Sequence, residues 1–200
     1  TYTVSPTGAN GCSGDDFTIN AVIKPRPQMS ITDAAPVICE GQRTNLTLNS
    51  PTVGAIITLT DVDYASGNIS GGSLSIGETY NNGQKIRETL FNETITVQTV
   101  TYEFSVEANG CGPLGPFTET VDVNPSPILT ITNNAPSICE VDLTDIDLSV
   151  DVAGASIELI SVTPSDVSVS GYTAPGAIYV SGDKIDDDLT NSSNADQTVI

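Results

Sequence analysis

The chain has 200 residues, 38% of them hydrophobic, with 6 Lys plus Arg against 25 Asp plus Glu and no His, for a formal net charge of −19. That charge disfavours nucleic-acid and anionic-membrane partners, whose own negative charge such a surface repels. The lack of His removes nucleophile–His catalysis, and no apolar run approaches the ~18 residues that a membrane-spanning helix needs.

Read in chain order, the first element is TYTVSPTGANGC, Thr1 to Cys12, with turn residues at Asn10-Gly11. Phe17 to Ile23 then alternates, and KPRP follows at Lys24 to Pro27. Leu46 and Leu48 belong to a further alternating run, and Ala55 to Leu59 is apolar and rich in β-formers. Lys85 to Leu90 is the best helical candidate, because Ile86 and Leu90 stand four apart. It is short enough to be a single turn or a loop. Thr99 to Val106 puts Val100, Tyr102, Phe104 and Val106 on one face and Thr101, Glu103 and Ser105 on the other, the period of a half-buried strand. Asn109-Gly110 marks a hairpin turn, and Phe117 to Val123 alternates again.

Much of this text occurs twice. SITDAAPVICE (Ser30 to Glu40) corresponds to TITNNAPSICE (Thr130 to Glu140), and VGAIITL (Val53 to Leu59) to AGASIEL (Ala153 to Leu159). GETYNNGQKIRETLFN (Gly77 to Asn92) corresponds to GAIYVSGDKIDDDLTN (Gly176 to Asn191), and TYEFSVEANGC (Thr101 to Cys111) to the opening phrase. The period is about 100 residues. The expected organisation is 1–27 as the last strands of one repeat, 28–127 as a complete repeat and 128–200 as a repeat without its last strands. One reading takes the chain as an excerpt of a longer array. The other notes that 1–27 is the piece that 128–200 lacks, so that one chain can complete the next by strand addition.

About seven short strands per repeat, separated by Gly, Pro and Asn, predict an all-β fold of tandem immunoglobulin-like sandwiches. Tyr102, two residues before Phe104, resembles a tyrosine corner, whose hydroxyl binds backbone, and Tyr2 is its copy. The X-Pro-X-Pro segments at 25–27 and 125–127 are extended and semi-rigid, which predicts an extended rod.

Four cysteines sit at equivalent places: Cys39 and Cys139, Cys12 and Cys111. Without His or a CxxC pair they are read as structural disulfide candidates rather than metal ligands. Cys12–Cys39 and Cys111–Cys139, suggested by sequence spacing, are rejected, because in a head-to-tail row those partners fall at far ends of adjacent sandwiches. Cys39–Cys111 is suggested by two cysteines per repeat, yet simple topology separates them by more than ~20 Å, against a Cα limit near 7 Å. Either a kinked first strand carries Cys39 upward, or Cys39 joins the turn cysteine of a following repeat; both stay open.

APVICEG, NAPSICE, the spacing of Ile86, Leu90 and Asn92, TVTYEFSVEANGCG and VDVNPSP together resemble the PKD-like, immunoglobulin-like repeats of very large surface proteins of Bacteroidetes. The resemblance covers essentially the whole chain. It implies type IX export, an extracellular or cell-surface location, and a role in adhesion or gliding motility. It supplies no catalytic residue and no cofactor.

The expected function is therefore a structural stalk or filament repeat, without catalysis, whose partners are adjacent repeats. Recognition of surface polysaccharide or other cells is the alternative. Tyr64 and Tyr172, the aromatics least explained by alternation, are the residues to watch for it. A strand-exchanged polymer subunit is the second alternative. For calcium, Asp61 and Asp63, Asp145 and Asp147, and Asp186, Asp187 and Asp188 offer oxygen ligands, but none stands in an EF-hand pattern. The last three correspond to Arg87, Glu88 and Thr89 in the other repeat, so a solvated acidic loop is the expectation. Sequons at Asn45, Asn68, Asn92 and Asn191 mark exposed loops if the host glycosylates Asn, and the equivalence of Asn92 and Asn191 favours a structural turn.

Overall fold

The computed structural model describes residues 1–200. It is all-β, in three groups of strands that follow one another along the chain. The first is a hairpin of β1 (Tyr2–Val4) and β2 (Phe17–Ile19). The second runs through β3 (Ser30–Asp33), β4 (Val37–Cys39), β5 (Leu46–Asn49), β6 (Ala55–Tyr64), β7 (Ile69–Ser70), β8 (Thr79–Tyr80), β9 (Lys85–Ile86), β10 (Phe91–Asn92), β11 (Gln98–Ala108) and β12 (Cys111–Asn124). The third contains β13 (Leu129–Asn133), β14 (Ile146–Val150), β15 (Ser156–Glu158), β16 (Val169–Ser170), β17 (Ile178–Val180), β18 (Lys184–Ile185) and β19 (Thr190–Asn191).

In the second group one sheet has the order β4-β12-β11-β6-β8 and another β3-β5-β9, with a β7–β10 ribbon beside them. Alternation decides which side chains meet between the sheets. Val100, Tyr102, Phe104 and Val106 of β11 are fully buried, as are Ile57 and Leu59 of β6 and Val121 and Val123 of β12. They face Leu46 and Leu48 of β5 and Ile86 of β9, within a core cluster of 17 buried residues. Each large apolar side chain taken from water contributes about 1.5–3 kcal/mol, so this group holds a core of its own. Asn109 and Gly110 have φ of 54° and 76°, the left-handed pair of a type I′ turn, and close the β11–β12 hairpin.

The pairing of β4 with β12 is parallel, Asp122 against Val37 and Asn124 against Cys39. The chain therefore comes in at one end and goes out at the other. At the near end Gln28 donates its backbone N–H to Thr52 Oγ1 (3.1 Å), and Asn109 Nδ2 donates to the carbonyl of Val53 (3.2 Å). At the far end Ser126 donates its backbone N–H to Glu40 (3.2 Å), beside Cys39 and Asn124. Thirteen residue steps of β12 separate the two ends, about 40 Å at strand rise.

The helical candidate Lys85 to Leu90 is corrected. Lys85–Ile86 is a strand, and Thr89 bridges to Arg43. Ile86, Glu88 and Leu90 are all buried, so the segment turns in every second residue, and Glu88 masks that period. The one helical turn of the chain is a 3-10 turn at Ala65–Gly67.

The third group repeats the registers of the second. Thr130 faces Ser149 as Ser30 faces Asn49, Ile146 faces Ile185 as Leu46 faces Ile86, and Ile157 faces Tyr179 as Ile57 faces Tyr80. Pro164 bridges to Val199 as Tyr64 pairs with Val100. Residues 137–139, the counterpart of β4, form no strand here. The β1–β2 hairpin keeps the register of β11–β12: Tyr2 faces Ile19 as Tyr102 faces Glu119, and Val4 faces Phe17 as Phe104 faces Phe117. Its apolar side chains are in the open, with Tyr2 65% exposed against 0% for Tyr102.

Candidate functional site

The most organised polar cluster lies between the sheets and centres on Glu88, which is 3% exposed. One carboxylate oxygen, Oε1, accepts from the Tyr64 hydroxyl (2.8 Å) and from the backbone N–H groups of Ser73 (2.6 Å) and Leu74 (3.2 Å). The other, Oε2, accepts from the Tyr102 hydroxyl (3.0 Å). Glu88 donates its own N–H to Thr44 Oγ1 (2.9 Å). A buried carboxylate is tolerable only when its lone pairs are filled, and here neutral donors fill them. Burial and the neighbouring carboxylate hold the Tyr102 phenol far above the ordinary tyrosine range, and the same two causes raise Tyr64. Tyr64 and Tyr102 belong to one sheet and Glu88 follows β9 of the other, so the cluster clasps the two layers together.

Two expectations change here. The Tyr102 hydroxyl binds a carboxylate rather than backbone. Tyr64, considered for ligand stacking, is spent on Glu88, and its ring lies over Gly72, where an added Cβ would come within 2.3 Å of ring carbons. Positions 64 and 72 are Tyr and Gly in the second group; their counterparts 164 and 172 are Pro and Tyr. Tyr172 is half-buried.

In the comparison with known families, the PKD-like domain matches residues 36–127. Those residues are a PKD-like domain. No curated protein matches the chain.

Around the PKD-like domain, the third group rebuilds the clasp with a shorter acid. Asp187 accepts from the backbone N–H of Thr173 (3.0 Å) and the Thr173 hydroxyl (2.6 Å), and donates its N–H to Thr144 Oγ1 (2.7 Å). This takes Asp187 out of the acidic trio that it forms in sequence with Asp186 and Asp188, which are exposed on either side of it. Asp61 accepts from the Val62 N–H and Asp63 from the Ser66 N–H, both at the end of β6. Asp145 and Asp147 both contact Lys184, and no three acidic or thiol side chains converge as metal ligands would.

Asn92 of the PKD-like domain is buried, not a loop residue open to glycosylation. Its Nδ2 donates to the carbonyls of Thr96 and Val123 (both 2.8 Å), and its Oδ1 accepts from Thr94 N–H (2.9 Å) and hydroxyl (2.8 Å). Asn191 makes the same local turn with Ser193 and Ala195.

All four cysteines are thiols, and the Cys39–Cys111 bridge is corrected. Cys39 lies beside Asn124 and Cys111 at the opposite end of β12, about 40 Å away, and no kink in β4 shortens that span. Cys39 faces the far end of the domain. Cys111 sits at the near end, two residues after Asn109, whose carbonyl accepts from Lys24 Nζ of the preceding segment. Tyr2 and Cys12 belong to the exposed hairpin. The clasp itself lay beyond sequence reading, because an acid inside an apolar alternation carries no signature that separates it from surface charge.

Proposed function

We propose that this chain is a non-catalytic stalk segment of a large secreted or surface-attached protein, in which PKD-like sandwiches follow one another as 1–27, 28–127 and 128–200 parts of a repeating array. A PKD-like domain points to a structural or extracellular module. The observation that carries the stalk reading is that the chain comes into the complete sandwich at one end and leaves about 40 Å away at the other. An interior filled by the Glu88 clasp and apolar side chains leaves the sandwich to act as a spacer. The Pro-containing segments on either side favour extension over folding back, and the charge of −19 keeps neighbouring stalks apart. Adjacent repeats are its principal partners, outside the cell. Small-angle scattering from a dilute monomer tests this. A stalk gives a radius of gyration beyond about 25 Å; a value near 16 Å, that of a compact chain of this length, overturns the reading.

A further inference from the structure

We propose that, where two complete units stand in succession, Cys39 of the first and Cys111 of the second close into a disulfide that staples the joint between them. This staple rests on the reading of the chain as part of an array, and it belongs to every joint of that array. Each unit carries one thiol at either end. Cys39 is exposed at the far end, where β4 runs beside the last residues of β12 and Cys39 pairs with Asn124. Cys111 is half-buried at the near end, directly after the Asn109–Gly110 turn. About 40 Å of β12 keeps the two apart, so neither has a partner within its own unit. The arrangement recurs along the chain, since Cys139 corresponds to Cys39 and Cys12 to Cys111.

The joint that enters the complete sandwich shows how two ends meet. Lys24 takes the place that Asn124 takes at the following joint, the last residue before the Pro-containing segment. By the register of β4 on β12, that place lies one strand spacing, about 4.8 Å, from the Cys39-type residue of the unit that owns it. From there Lys24 Nζ donates to the carbonyl of Asn109, and a Cβ added at Gly110 would stand 3.6 Å from the same Nζ. Pro25 and Arg26 line a hollow with Asn109, and Arg26 lines another with Leu114 and Phe117. The incoming segment therefore touches the chain on both sides of Cys111 in sequence. Only Pro25, Arg26 and Pro27 separate Lys24 from Gln28, whose N–H is fixed on Thr52. Those four steps span at most about 14 Å, so the far-end thiol of one unit stays within reach of the near-end turn of the next. A disulfide needs Cα atoms within about 7 Å, and adjustment of the linker backbone supplies the remaining approach. The oxidant is a small-molecule disulfide: two thiols and one oxidised glutathione give one protein disulfide and two reduced glutathiones. The staple gives each joint a second covalent path beside the Pro-containing segment.

The test keeps the full chain and duplicates residues 24–123 within it, so that Val123 of the first copy runs directly into Lys24 of the second. Two complete units then share a native joint. Cys12→Ser and Cys139→Ser remove the outer thiols. The forward chain adds Cys111→Ser in the first copy and Cys39→Ser in the second, which leaves one thiol on each side of the joint. The mirror chain carries the opposite pair of changes, so its two thiols stand at the outer ends of the pair, two lengths of β12 or about 80 Å apart. In dilute solution with oxidised glutathione, the forward chain should lose both thiols and yield a Cys39–Cys111 peptide from monomeric protein. The mirror chain should give no such bridge. Unbridged thiols in the forward chain, or equal bridging in the two chains, overturn the proposal. Small-angle scattering from the reduced forward chain reports on the array separately. Unbridged thiols in an extended chain remove the staple and leave the stalk, whereas a compact chain removes the reading on which the staple rests.

Discussion

Glu88 holds a negative charge inside the sandwich with hydroxyl and amide donors and no basic side chain. Its removal therefore strands several donors at once. Glu88→Ala should cost about 3–5 kcal/mol in urea unfolding, since it leaves two phenols and two backbone N–H groups without an acceptor. Tyr102→Phe removes one donor from the same carboxylate and should cost about 1.5–3 kcal/mol. The phenols also set an alkaline limit. Their folded pKa values lie above those of the unfolded chain, so their contribution is complete below about pH 10. Above that, the unfolded chain releases protons that the folded chain keeps, and stability falls by about 1.4 kcal/mol per pH unit for Tyr102. Urea midpoints between pH 8 and 11 should show this slope, and Tyr102→Phe should remove that share of it.

At the level of strands and turns, the Tyr64 ring occupies the space that a side chain at Gly72 would need. Gly72→Tyr in the complete sandwich should drive its side chain into the Tyr64 ring and cost about 2–3 kcal/mol. Combined with Tyr64→Ala it should cost less than the sum of the two changes, by at least 1 kcal/mol in a double-mutant cycle. The long strands were legible because nothing interrupts their alternation: Thr99 to Val106 reads in period two and is buried in period two. The two-residue strands were not. β7, β9 and β10 are held by side chains such as Asn92 and Thr44, and their few residues carry no period. Lys85 to Leu90 misled for a specific reason, because Ile86 and Leu90 satisfy helical and strand spacing alike and the residue that decides between them is an acid. The clasp depended on the same acid and was hidden with it. The repeat, by contrast, was fully visible, and residue correspondences read from the text reproduce strand registers to the residue.

Over the whole molecule, charge of one sign predominates. Ion pairs are confined to Lys184 with Asp145 and Asp147, both exposed and of small energetic weight. Self-repulsion among 25 acids is the larger effect, so the melting temperature should rise between 0.01 and 0.15 M NaCl as the Debye length shortens. A fall over that range would mean that attractive pairs outweigh repulsion.

The parallel seam between β4 and β12 lies where the chain leaves the sandwich, and β3 and β4 carry the chain inward from the opposite end. Traction applied to the two termini pulls these neighbouring strands past each other along their length. Their hydrogen bonds then meet the force sideways and must break together, rather than peeling open one after another. A fold joined in that way resists stretching far better than its thermodynamic stability alone would suggest.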